Sequence, residues 1–329
     1  MIKNILVTGG AGYIGSHITE ILINKKKNVV IVDNLSSGFK RLINKKAVFI
    51  KLNIRETKKL IKLINQYKID TIIHLAGSLI IGEGEKFPKK YFQNNVTYTK
   101  SVLLALKNSS VKNFLFSSTA AVYKDGLVKV NETSKLKPKS IYGKTKLQAE
   151  KLIKKFCKKF KINYGILRYF NVVGASPSGK IGLINKSDHL FKNFSLAIYK
   201  KKPVLQIYGT NYNTKDGTCI RDFIHVSDIA EIHYKVILAL NKKNKSKVLN
   251  CGYGKGISVL DVAKEFKRQS KKKVNFLNIP RRKGDLSKII ASNNNLLKFI
   301  NWTPKHNKIE KMVKSCLTWE KKISNLRNV

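Results

Sequence analysis

A run of glycines between a strand-like and a helix-like segment constrains this chain more than any other feature. Ile2–Thr8 is apolar and β-branched, and Ile14–Ile23 carries apolar residues at helical spacing. Between them stands Gly9-Gly10-Ala11-Gly12-Tyr13-Ile14-Gly15, spaced G-x-x-G-x-x-G. Glycine is required where a turn is tight, where backbone approaches a pyrophosphate, and where a helix packs closely on a strand. The helix that follows directs free N–H groups and a positive dipole end at such a phosphate. Asp33 ends the next apolar run, 18 residues after Gly15. A carboxylate there accepts both ribose hydroxyls of an adenosine and repels a 2′-phosphate, and Asn34 rather than Arg follows it. The pattern predicts a dinucleotide site with NAD favoured, while Lys40 and Arg41 lie near enough to leave NADP open.

The alternation continues. Val29–Asp33, Val48–Leu52, Thr71–Ala76, Asn113–Ser117 and Tyr164–Tyr169 read as strands; Glu56–Gln66, Tyr91–Lys107 and Ser140–Phe160 read as helices. In the last helix Leu152, Ile153, Phe156, Cys157 and Phe160 form one apolar stripe, with Lys on the other face. The implied class is α/β: a doubly wound parallel Rossmann sheet over residues 1–171, covered on both faces. Beyond residue 171 the pattern weakens, so 172–329 is expected to be a smaller mixed α/β substrate-binding domain, with a return to the first around 222–240.

Composition narrows the function. The 329 residues suffice for a full core, which excludes a disordered chain. The net charge of +47 invites a nucleic-acid reading. Only 8 of the 66 basic residues are Arg, the residue suited to phosphate and base edges, and the Lys are spread in short runs. A solvated basic coat is the expectation, with no specific nucleic-acid partner. No apolar run reaches the 18 residues of a membrane span, and the apolar run at the N-terminus is too short for a signal-peptide core. Cys157, Cys219, Cys251 and Cys316 form no C-x-x-C, so neither a disulfide framework nor a zinc site is expected, and the default compartment is the cytoplasm. His74, His225 and His233 lack ligand-like spacing and read as structural; no metal is expected.

Tyr142 and Lys146 stand four apart on the expected helix and share a face. An ammonium beside a phenol lowers its pKa and makes it a usable base. Spacing alone says little in a chain so rich in Lys, but the pair falls just after the fifth strand, where open α/β sheets place their sites, and Ser117, Ser118 and Thr119 stand at the same edge.

Ordered motifs then carry a resemblance over nearly the whole chain: TGGAGYIGSH (8–17), DNLSSG (33–38), IIHLAG (72–77), NNV (94–96), FSSTAAVY (116–123), YGKTK (142–146), LRYFNVVGASPSG (167–179), DGTCIRDFIHVSDIA (216–230) and PRRKGD (280–285). The chain resembles the extended short-chain dehydrogenases/reductases, most closely the UDP-glucose 4-epimerase family. The resemblance implies that Tyr142 takes the proton of the sugar 4-hydroxyl, that Lys146 depresses its pKa and holds the nicotinamide ribose, and that Thr119 bonds the same hydroxyl. Hydride passes to tightly held NAD and returns to the other face of a 4-keto sugar. It implies cofactor contacts at Gly9, Gly12, Tyr13, Ile14, Gly15, Asp33, Asn34, Asn53, Ile54, Leu75, Ala76, Gly77, Asn94, Ser117, Tyr142, Lys146 and Phe170. For the UDP-sugar it implies Thr119, Asn171, His189, Leu190, Tyr208 over the uracil, Arg221 and Arg282 on the pyrophosphate, and Asp285 on a ribose hydroxyl. It also implies a homodimer.

The chain departs from the family at four places. Asn53 stands where an Asp usually contacts adenine. Leu79 replaces a Lys seen in some members, residues 183–188 match poorly, and Ile289 falls where bulk at the sugar 2-position is gated. A 4-epimerase of UDP-GlcNAc or UDP-glucuronate therefore stays open, as does a non-catalytic RNA-binding NAD-fold protein. A 4,6-dehydratase does not, because Ala120-Ala121 follow Thr119 in place of an Asp-Glu pair.

Overall fold

The computed structural model describes residues 2–185, 188–282 and 285–325. Seven strands form one parallel sheet: β1 (Asn4–Thr8), β2 (Asn28–Asp33), β3 (Val48–Lys51), β4 (Thr71–His74), β5 (Asn113–Thr119), β6 (Asn163–Tyr169) and β7 (Lys247–Cys251). Their order is β7-β6-β5-β4-β1-β2-β3, every neighbouring pair parallel. The central strands are buried on both faces, which is why Ile5-Leu6-Val7 and Phe114-Leu115-Phe116 read as unbroken apolar runs rather than alternating ones.

One face packs Ile5, Val7, Ile73, Leu115 and Leu167 against the first helix (Tyr13–Asn24) and the helix Val226–Lys243. The other packs Leu6, Ile72, Phe114 and Ile166 against helices Thr57–Gln66, Tyr98–Ala105 and Ile141–Lys159. Each Val, Leu or Ile buried in this way is worth about 1.5–3 kcal/mol. Of the expected stripe on the last helix, Ile153 and Cys157 are fully buried, and Leu152, Phe156 and Phe160 lie half-buried beside them. Ser140 caps that helix, its Oγ accepting from the Gly143 N–H at 3.1 Å.

Two elements differ from the expectation. The single helix expected over Tyr91–Lys107 is a short helix Pro88–Phe92, a wide π-type turn Gln93–Thr97 and the helix Tyr98–Ala105. The turn rotates Asn95 inward, where it is buried. Strand β7 lies in the stretch assigned to the second domain, yet it extends the Rossmann sheet, pairing Lys247–Cys251 with Gly165–Tyr169.

The remaining elements gather round a core of Phe191, Phe194, Phe223, Val262, Phe266 and Met312. They include helices Leu190–Ile198, Val259–Ser270 and Ile309–Asn325 and the parallel pair Val204–Tyr208 and Asn275–Ile279. A small sheet of Ile257–Ser258, Ile220–Arg221, Lys288–Ala291 and Lys129–Val130 joins this region to the first through residues 129–130.

Candidate active site

Residues named for the cofactor follow the carboxyl ends of six neighbouring strands: Gly9–Gly15 after β1, Asp33 and Asn34 at the end of β2, Asn53 and Ile54 after β3, Leu75–Gly77 after β4, Ser117 near the end of β5 and Phe170 after β6. Two named for the UDP-sugar, Thr119 and Asn171, stand at the same edge. This is the edge at which open α/β sheets bind ligands. Gly9 has φ +75°, and a methyl there would lie 2.8 Å from the Ala76 amide nitrogen. A methyl on Gly15 would collide with the Gly9 carbonyl. The first helix opens at Gly12 with neither a side-chain cap nor an acidic residue in its first turn, leaving its amides for an anion. Asp33 accepts from the Ala11 N–H at 3.1 Å and the Leu35 N–H at 2.8 Å, which aims a largely buried carboxylate at this mouth. Burial raises its pKa and the two amides oppose that. A glycine cradle, an uncapped helix end and a carboxylate beside them fit a dinucleotide with a free 2′-hydroxyl.

Lys146 is buried and its Nζ donates to the Ser117 carbonyl at 2.9 Å, lying 4.7 Å from the Phe116 ring centre. Burial brings its pKa down to about 8, and the Glu150 charge one turn along pulls the other way. Burial pushes Tyr142 up to about 12, and its hydrogen bond with Thr119 works against that. The expected effect of Lys146 on the phenol is therefore not the one that sets Tyr142 here; the ammonium is held by the strand carbonyl while Thr119 holds the phenol. The Thr119 Oγ1 also accepts from the Ala121 N–H at 3.1 Å.

The sequence reading missed Asn95. Its Oδ1 accepts from the Ser78 N–H at 2.7 Å, and its Nδ2 donates to the Ser78 carbonyl at 3.1 Å and to Thr145 Oγ1 at 3.0 Å. It ties the loop after β4 to the helix that carries Tyr142 and Lys146. Asn94, the residue named instead, donates to Ser78 Oγ at 2.8 Å. A consecutive Asn pair within a helical pattern was the available signal, since Asn favours turns over helix interiors.

Behind the site lies a second set of polar residues that motif matching did not single out. Arg168 forms a fork on Glu150, Nε to Oε1 at 2.9 Å and Nη2 to Oε2 at 2.7 Å, and the Ser118 hydroxyl donates to the same carboxylate at 2.6 Å. Arg168 Nη1 donates to the Tyr123 hydroxyl at 3.0 Å, which donates to Asn250 Oδ1 at 2.6 Å. His74 bridges the Thr8 and Thr99 hydroxyls at 2.7 and 3.0 Å, and burial drives its pKa down to about 3.

Four of the eight residues named for the UDP-sugar form two pairs. Arg221 Nη2 lies 3.5 Å from Asp285 Oδ1, and the Arg282 guanidinium sits 3.9 Å from the centre of the Tyr208 ring. Asn171 is exposed, and its backbone N–H donates to the Asp222 carbonyl at 3.0 Å. His189 precedes the helix that begins at Leu190; its Nε2 lies 2.6 Å from the Val172 carbonyl, its ring meets Tyr13 edge-on, and its buried Nδ1 has no partner among the described residues. Asn53 makes a local turn, accepting from the Arg55 N–H at 3.0 Å. Leu79 is exposed, and Ile289 is buried with Ala120 and Phe170. Of the poorly matching loop 183–188, residues 186 and 187 lie outside the described residues, as do 283 and 284 of PRRKGD. Among the described residues no three His, Cys, Asp or Glu gather as metal ligands, and no helix is long and apolar enough to cross a membrane.

A family model described as the NAD dependent epimerase/dehydratase family matches residues 5–252. The chain is 36% identical to the UDP-glucose 4-epimerase of Azospirillum brasilense over 97% of its length and 92% of that protein's. It is 38% identical to the UDP-glucose 4-epimerase of Dictyostelium discoideum, over 96% of its length and 95% of that protein's. It superimposes with a TM-score of 0.94 and 32% identity on a UDP-glucose 4-epimerase from Stenotrophomonas maltophila, solved with bound NAD and formylated UDP-arabinopyranose, covering 98% of this chain and 99% of that one.

Proposed function

The chain belongs to the NAD dependent epimerase/dehydratase family, and on that premise we propose that it interconverts UDP-galactose and UDP-glucose by epimerisation at C4. The observation that carries the reading is the meeting of Tyr142 and Thr119 at the end of β5, with Lys146 one helical turn away, at the same sheet edge as the glycine cradle. NAD, when bound, supplies the acceptor that takes hydride from C4 and returns it to the opposite face of the 4-keto sugar, with no net redox change.

The remaining work falls to side chains of this chain. Thr119 and Tyr142 hold the 4-hydroxyl between them, and Tyr142 takes its proton as the C4 hydrogen leaves. A phenol near 12 is a poor base at neutral pH, so the working complex needs a cation beside it; Lys146, on the same helix face, is that cation. Asp33 selects the 2′-hydroxyl of the cofactor ribose. Arg221 and Arg282 bind the diphosphate as forks, Asp285 accepts from the uridine ribose, and the Tyr208 ring offers a face to the base. On this reading Asn171 meets the UDP phosphates, and His189 and Leu190 contact the nucleotide. The segment 172–329, apart from the elements that return to the Rossmann sheet, serves as the UDP-sugar half.

The reading includes a cytoplasmic homodimer. Its four cysteines are buried and unpaired, and Phe92 and Leu104, on neighbouring helices of the Rossmann half, expose apolar side chains to which a second copy can pack. Purified protein incubated with UDP-galactose, UDP-GlcNAc and UDP-glucuronate should convert the first to its 4-epimer. Tyr142→Phe should lower that turnover by about 10²–10⁴-fold while keeping fold and NAD. Conversion of only the second or third sugar refutes the named substrate, and an undiminished Tyr142→Phe refutes the base.

A further inference from the structure

An apolar cluster at the far end of the cofactor cleft takes no part in the chemistry above. The loop after β2 carries Phe39 and Leu42, which pack with Ala175, Ile181, Trp319 and Ile323. The inner side of this loop belongs to the adenosine site. A methyl on its Gly38 would lie 3.0 Å from each carboxylate oxygen of Asp33, and the Phe39 N–H donates to the Ala11 carbonyl of the glycine turn at 3.0 Å. Its outer side is gripped by residues from elsewhere in the chain: the stretch 174–185, a strap that crosses from β6 to the second region, and the last helix, Ile309–Asn325.

Hydrogen bonds fasten the same parts. Asn185 Nδ2 donates to the Ser37 carbonyl at 3.1 Å, and Trp319 Nε1 donates to the Leu183 carbonyl at 2.9 Å. The strap also holds the phosphate-binding helix at its first turn, where the Tyr13 hydroxyl donates to the Gly174 carbonyl at 2.6 Å. One strap, backed by one helix, thus grips both walls of the dinucleotide cleft: the ribose loop and the helix N-terminus. The two walls belong to the Rossmann half, and the grip comes mostly from outside it.

We propose that this clasp sets how long NAD stays bound. The inference rests on the NAD reading above and adds to it Trp319, Leu42 and Asn185, which touch no reacting atom and act by holding the ribose loop against the strap. For the dinucleotide to leave, the Phe39–Leu42 loop must part from Ile181 and Trp319, exposing apolar surface to water. An enzyme whose cofactor is restored within each turnover loses nothing by slow exchange.

The test is exchange of bound NAD against excess radiolabelled NAD in the purified holoprotein, followed by gel filtration. Trp319→Ala and Leu42→Ala should each speed release about tenfold or more, with turnover in saturating NAD within about twofold of the parent. Asn185→Ala, which removes one hydrogen bond at a half-buried position, should speed it several-fold. Val262→Ala, a buried truncation in the separate core of the second region, should leave the rate at the parent value. If circular dichroism shows Trp319→Ala unfolded, Leu42→Ala and Asn185→Ala decide. Parent-like exchange in the folded clasp variants, or equal acceleration by Val262→Ala, overturns the clasp and leaves the NAD reading standing. A parent protein that binds no NAD overturns both.

Discussion

Replacing Arg168 with Met should destabilise the protein by about 3–5 kcal/mol. The figure follows from what the guanidinium leaves behind. Arg168 and Glu150 are 1% and 0% exposed, and both carboxylate oxygens accept from the guanidinium, at 2.9 and 2.7 Å. Without it Glu150 keeps the Ser118 hydroxyl, a neutral donor at 2.6 Å, against the desolvation of a full charge. A buried pair is weak evidence of stability as a whole but costly to break on one side. The double variant Arg168→Met/Glu150→Leu should therefore recover most of the loss, because an apolar pair of similar volume desolvates no charge. Urea unfolding of parent, both singles and the double completes the cycle. At a slope of roughly 3 kcal/mol per molar, the single arginine variant should unfold about 1–1.7 M earlier. A loss below about 1 kcal/mol, or a double variant no more stable than Arg168→Met alone, refutes the reasoning.

Three further outcomes follow from the site. Lys146 is brought by burial to about 8, so kcat/KM should fall as pH rises through that value and the ammonium is lost; Glu150→Gln, which removes the opposing charge, should move the fall to lower pH. Because the folded value lies below the ordinary 10.5, the unfolded chain binds more protons between about 8 and 10.5, and this group's contribution to stability rises with pH across that window. Urea midpoints of parent and Lys146→Met compared across that range measure it: the variant should show a smaller rise, and an equal rise contradicts the shift. Gly15→Ala places a methyl against the Gly9 carbonyl, so the turn must open. Nucleotide released on denaturation should drop about tenfold or more while circular dichroism stays near the parent, and full NAD content in that variant contradicts the cradle.

Local patterns carried the first half of the molecule. Strands buried on both faces are continuous apolar runs, helices covering one face repeat every three to four residues, and a glycine turn between the two has few alternatives. Tyr142 and Lys146 could be placed on one helix face by their i, i+4 spacing, but it was their position just after the fifth strand that set them apart in a chain so rich in Lys. Asn95 was not, because its value depends on a π-type turn that no periodicity predicts and on Ser78 and Thr145, 17 and 50 residues away. Strand β7 was missed because five residues of Lys247–Cys251 bear no mark of the sheet they join; only pairing with β6 decides it.

By itself, then, the order of residues determined the Rossmann class, the glycine turn between the first strand and the first helix and the acidic residue that ends β2, all set by neighbours along the chain. Only the tertiary structure decided that Lys146 rests on the Ser117 carbonyl, that Arg168 closes on Glu150, that Arg282 covers Tyr208, and that Trp319 reaches the loop after β2. Each of these joins groups distant in sequence, and burial turns them into the pKa shifts and apolar contacts from which the site's chemistry and its hold on a dinucleotide arise.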